Sequence, residues 1–173
     1  MTGDTPEFSR VVGLDEIGDR PLIRSIEAEA GEREALARRF GLQSLDRLRA
    51  KLTLAPLRHG DVIVVEGTLV AEAVQTCVVT LGPVPVRIEE DFSVRLAPAD
   101  EARPAVEVDP EVDEPEPLDG ESIDIGEIVA QHFALALPPY PRAEGVQFDG
   151  AGVGSEEPTV AGPFAALERL KRR

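Results

Sequence analysis

Between Leu45 and Leu96 the chain alternates apolar and polar residues in three long runs, and that period of two commits its centre to a β-sheet. In the first run Leu48, Ala50, Leu52 and Leu54 alternate with Arg47, Arg49, Lys51 and Thr53. Arg58-His59-Gly60-Asp61 reads as a turn. The second run extends from Val62 to Cys77 and sets Ile63, Val65, Gly67, Leu69, Ala71 and Ala73 on one side. Leu81-Gly82-Pro83 breaks it. In the third run Val84, Val86, Ile88, Phe92, Val94 and Leu96 alternate with Arg87, Glu89, Asp91, Ser93 and Arg95. Long strands joined by short turns predict an antiparallel meander with one face on the core. Gly67 inside a strand predicts a bulge or sharp bend, and with it a strongly curved sheet.

The flanking sequence supplies helices and linkers. Phe8 to Val12 and Leu22 to Ala28 read as two short strands separated by the polar turn 15–19. A helix is predicted over 29–40, with Glu29, Glu32 and Glu34 early, Arg38 and Arg39 late, and Gly41 as its stop. Leu36 and Phe40, four apart, share the face expected to meet the sheet. Asp124 and Glu127 read as a capping-box pair opening a second helix to about Leu137, with Ile125, Ile128, Val129, Phe133 and Ala136 as its apolar face. Pro138-Pro139 ends it. Pro98 to Gly120 is rich in acids and prolines, a composition that predicts a disordered insertion. Residues 143–161 read as a flexible linker, and 162–173 as a short C-terminal helix opened by Pro163. The expected organisation is one α+β domain over 1–97 and 121–142, with 98–120 as an insertion.

With 173 residues the chain is long enough to bury a working core. Aromatic residues are 4% and tryptophan is absent, so that core is expected to rest on Val, Leu, Ile and Ala. A net charge of −15 favours basic partners and disfavours contact with nucleic-acid phosphates, which needs a basic patch. One cysteine leaves no internal disulfide and fits a reducing compartment. The N-terminus lacks a basic region followed by an apolar run, and the apolar runs are too short to span a bilayer. A cytoplasmic protein with no membrane partner is the expectation.

Few residues invite chemistry. Cys77 is the single thiol; Thr80 stands where a second cysteine would complete C-x-x-C. With only His59 and His132 as further soft ligands, and at no recognised spacing, no metal or other cofactor is expected. On the apolar side of a strand Cys77 reads as a small buried hydrophobe. His132 is a candidate general base, because an unperturbed imidazole titrates near physiological pH, but it also has the position of a boundary residue on an amphipathic helix. No nucleophile-elbow motif accompanies it, and no small-molecule substrate is evident. Pro138-Pro-Tyr-Pro141 has the form of a polyproline ligand, though its role as helix terminator already accounts for it. Arg47, Arg49 and Lys51 project from one side of a strand that leads to Arg58, and Arg38 and Arg39 are candidates to extend that basic surface. Phe164, Leu167 and Leu170, three apart, form a stripe suited to a recognition helix or to folding back onto the sheet.

The order of these pieces resembles the YceD family of large ribosomal RNA subunit accumulation proteins. The matching segments are 36–42, 62–69 and 74–77, then Ile123 to Gln131 with the Leu137-Pro138 turn, and finally Pro163 to Lys171. Many members have C-x-x-C where this chain has Cys77 to Thr80, and some carry a cysteine cluster where it has Tyr140 to Ala143. Metal binding is therefore not carried over. The resemblance implies a role in making or maintaining large-subunit ribosomal RNA and brings no catalytic residues with it.

The expected fold is α+β: a curved antiparallel sheet, with a partly open barrel as its limiting form, and two helices packed on it. The leading functional reading is a non-enzymatic factor in large-subunit ribosome biogenesis acting through a basic ribosomal or RNA-processing protein. A second is direct RNA contact through Arg38, Arg39, Arg47, Arg49, Lys51 and Arg58. A third, of another class, is a thiol- or metal-dependent enzyme built on Cys77.

Overall fold

The computed structural model describes residues 6–57, 62–98, 115–118 and 120–146. The three alternating runs form β3 (Ser44–Pro56), β4 (Ile63–Thr76) and β5 (Pro83–Pro98), each antiparallel to the next. Upstream lie β1 (Val11–Gly13), β2 (Leu22–Glu27) and α1 (Ala30–Arg39); downstream lie β6 (Glu116–Leu118), β7 (Ser122–Asp124) and α2 (Ile125–Ala136). The main sheet has the order β2-β3-β4-β5-β6, with β2 and β6 as its two edges, so it does not close into a barrel. It is also not wholly antiparallel, because β6 runs parallel to β5.

Two local expectations are corrected. The first strand begins at Val11, not Phe8, and pairs with β7 across more than a hundred residues of chain. Gly67 makes no bulge: Leu52, Gly67 and Phe92 stand in continuous register across three strands, and the one shift lies between Leu45 and Arg47. The glycine instead makes room, since a Cβ there would lie 2.5 Å from the Phe92 ring. That ring covers the glycine and is itself stacked on His132 of α2, centroids 4.3 Å apart. The core rests mainly on Leu, Val, Ile and Ala, as expected, with Phe8, Phe92 and Phe133 buried among them.

Both helices pack on the buried face of the sheet. Leu36 and Ala37 of α1 and Ile125, Val129, Ala130 and Phe133 of α2 join one core cluster with Leu48, Leu52, Val65 and Leu69. Each of the larger side chains, Leu, Ile, Val or Phe, taken from water to this interior, contributes roughly 1.5–3 kcal/mol. Phe40 meets Phe133 edge to face at 5.8 Å, joining the helices directly. Gly41 ends α1 with a φ of 65°, and the amides of Gly41 and Leu42 bond back to Arg38 and Ala37, the double closure of a Schellman motif.

Only half of the predicted capping box forms on α2. Asp124 accepts from the amides of Gly126 and Glu127, but the Glu127 carboxylate goes to Arg39. Asp124 also accepts from the Arg10 amide at 2.8 Å and from the Ser9 hydroxyl at 2.6 Å. One carboxylate thus caps α2 and fastens the N-terminal strand to it. The linker 143–161 beyond Val146, the C-terminal helix 162–173, and the insertion except for Pro98, Pro115 to Leu118 and Gly120 lie outside the described residues.

Candidate functional surfaces

The open face of the sheet follows from register. Residues paired across strands share a face, so Glu27, Arg49, Val70 and Glu89 form one row and Ser25, Lys51, Thr68 and Asp91 the next. Arg47, Glu72 and Arg87 make a third row. Counted over the whole face, Arg47, Arg49, Lys51, Arg87 and Arg95 stand against Glu27, Glu66, Glu72, Glu89 and Asp91. The bases predicted from β3 alone are therefore balanced one for one by acids from its neighbours. Arg47 lies 3.9 Å from Glu27, a long and exposed pair of little energetic weight. Two shallow hollows of about 480 and 500 Å³ adjoin on this face and share Lys51 and Thr68.

The helix bases do not extend that surface. Arg39 lies on the other side of the sheet, where its guanidinium holds Glu127 in a bidentate pair at 2.7 and 2.9 Å and also reaches Glu7 at 3.0 Å. These bonds raise the pKa of Arg39, and the guanidinium in turn holds the Glu127 carboxyl below its ordinary range. Arg38 is exposed on the same helix. Arg58, and with it His59, Phe164, Leu167 and Leu170, falls outside the described residues. A second clamp escaped the sequence reading: Arg10 grips Glu32 at 2.7 and 2.9 Å and lies over the Phe8 ring. Nothing in the periodicity marks either pair, because their partners are far apart in sequence.

Cys77 sits one residue beyond the end of β4, fully buried but apart from the main core cluster. Its sulfur accepts from the amides of Thr80 and Ala143, each at 3.4 Å. Hydrogen bonding from Thr80 first, then from the amides of Thr80, Ala143 and Val79, lowers the thiol pKa to about 6. Those donors stabilise a thiolate, but the sulfur is sealed from solvent, and a reactive thiol needs access as well as charge. The arrangement pins two segments together: the 77–82 turn and the chain leaving α2. Gln75, two residues earlier, does the same by donating to the Pro138 carbonyl at 3.1 Å. Pro138 to Pro141 is thus bound to the end of the sheet, and Pro141 accepts from the Val78 amide at 2.9 Å.

His132 is half-buried on Phe92. Burial lowers its pKa, against the opposite pull of Glu116 and Glu90. Among the described residues no group of three or more His, Cys, Asp or Glu is arranged to hold a metal ion, and no helix is long and apolar enough to cross a membrane.

The remaining candidate is the acidic insertion. Across 98–120 nine acids face the single base Arg103, which places −8 of the net −15 in one segment. Pro98 closes β5 and Glu116 opens β6 directly beside Leu96, so this segment leaves and rejoins the sheet at one edge and one end. The Cys77 turn lies at the opposite end of β4 and β5.

A family model described as large ribosomal RNA subunit accumulation protein YceD matches residues 65–171. No curated protein and no solved structure matches the chain. The matched span includes β4, β5, the acidic insertion and α2, which are more than half of the sequence and most of the fold's second half. This chain belongs to the YceD family of large ribosomal RNA subunit accumulation proteins.

Proposed function

We propose that the chain supports accumulation of large-subunit ribosomal RNA as a non-enzymatic factor, and that it does so by engaging a basic ribosomal or RNA-processing protein. The family match supports the general role. The observation that carries the finer reading is the placement of the insertion: a charge of −6 on the residues between the end of β5 and the short edge strand β6, and −8 over the whole of 98–120. Such a segment draws a basic protein at long range, and the encounter weakens as salt screens it. Direct RNA contact through Arg47, Arg49 and Lys51 receives less support, because Glu27, Glu66, Glu72, Glu89 and Asp91 interleave with these bases and leave no net positive field.

The test is a pulldown from cell extract at low and at high salt, comparing the native chain with a full-length variant whose insertion acids are replaced by their amides. The native chain should recover basic ribosomal or RNA-processing proteins at low salt only, and the variant should not. Equal recovery by both would remove the insertion from the mechanism; no such protein at low salt would remove the adaptor reading.

A further inference from the structure

The end of the sheet opposite the insertion exposes three large apolar side chains in one place. Val78 is 48% exposed, Leu81 75% and Tyr140 76%. Backbone bonds bring them together: the Val78 amide donates to Pro141, the Leu81 amide to the Cys77 carbonyl, and the Ala143 amide to the Cys77 sulfur. Leu81 is the one non-glycine residue among those described with a positive φ, 60°. That conformation crowds a Cβ, and an exposed turn gains nothing from a leucine in it. Asparagine or glycine would relieve the strain and the wetted apolar area together. An outlier of this kind points to a functional cause, here a covering partner for the side chain.

We propose that this tip seats the chain's own C-terminal segment, with Phe164, Leu167 and Leu170 laid over Val78, Leu81 and Tyr140. The described chain ends at Val146, whose amide bonds to Ala143, so the segment departs from the tip itself. Seventeen residues, 147–163, separate Val146 from Phe164. A random-coil chain of that length has its ends roughly 23 Å apart, and a tether of that reach would hold the segment near the tip at an effective concentration in the millimolar range. In a helical turn Phe164, Leu167 and Leu170 fall on one stripe, with the stem of Lys171 along its edge, while Arg169, Arg172 and Arg173 fall away from it and stay in water. A helix this short is marginal alone and gains its stability from an apolar seat.

Tyr140 supplies its own probe, being the only tyrosine in a chain without tryptophan. Acrylamide quenching of its fluorescence is measured on the full-length protein and on the full-length F164D/L167D/L170D variant, with the Val78 and Leu81 methyl resonances followed in parallel. Release of a tethered cover of this strength should raise the quenching constant by about twofold or more and shift both methyls. Leu81→Asn, which suits the turn, should raise it in the same way. Native protection should be independent of protein concentration and insensitive to salt. If native Tyr140 is quenched as freely as in the variant and the methyls do not move, the tip is uncovered and the proposal fails. Protection that disappears at high salt would place the basic tail on the acidic insertion instead. Protection that grows with concentration, together with a dimer in sedimentation, would place it on a second copy. Either result overturns the intramolecular seat.

Discussion

Gly67→Ala isolates the contact that joins the sheet to α2. The new Cβ would stand 2.5 and 2.8 Å from two atoms of the Phe92 ring, well inside an ordinary carbon–carbon contact of about 3.5–4.0 Å. The ring has little freedom to retreat, since it is 8% exposed and His132 lies against it at 4.3 Å. Overpacking at such a site costs about 1–3 kcal/mol. Restricting the unfolded chain returns roughly 0.4–1 kcal/mol, because the Gly67 backbone lies where alanine is allowed. The net expectation is a loss of about 1–2 kcal/mol, or some 3–6 °C in Tm for a chain of this size. Phe92→Leu in the same background should relieve the clash, so the double variant should be more stable than the summed single losses by about 1 kcal/mol. Urea unfolding followed by circular dichroism reads all four proteins. A Gly67→Ala protein as stable as the native one, or strictly additive losses, would refute the claim that glycine is there to admit the ring.

Further expectations follow from single residues. Asp124→Ala removes the α2 cap and strands the Arg10 amide; the two losses together cost about 2–3 kcal/mol, while Asp124→Asn should cost less, as read by urea midpoints. His132 is held neutral by burial, so its folded pKa lies below its unfolded one; stability should fall as pH drops through about 6.5, and His132→Gln should flatten that slope in urea titrations at several pH values. The Cys77 thiol, lowered to about 6, works in the opposite chemical sense but with the same pH direction: its contribution is complete above the unfolded pKa and lost as pH falls through about 6. The stability gap between native protein and Cys77→Ser should therefore widen from acid to alkaline pH, while alkylation of the native thiol stays as slow as unfolding.

Period-two alternation located β3, β4 and β5 because each has one wet and one dry face, and the Asp124 cap and Gly41 stop were visible because capping is local. What sequence could not carry was partnership across distance. β1 meets β7, Arg39 meets Glu127, and Phe92 meets Gly67 and His132 only once the sheet order is known. The basic row of β3 shows the cost of reading one strand alone: Arg47, Arg49 and Lys51 look like a patch until β2, β4 and β5 bring Glu27, Glu72 and Asp91 beside them. Cys77 was legible as buried. Its polar role, tying the 77–82 turn to Ala143, was not, because the donors are backbone amides that no side-chain pattern reveals.

If the acidic insertion carries the proposed role in large-subunit RNA accumulation, removing its charge should remove that role. The most direct measurement is the ratio of large- to small-subunit ribosomal RNA in cells depleted of the native protein and supplied with the full-length chain in which the acids of 98–120 are replaced by amides. The native chain should restore the ratio, and the neutralised chain, although folded, should leave it low. Full restoration by the neutralised chain would contradict it.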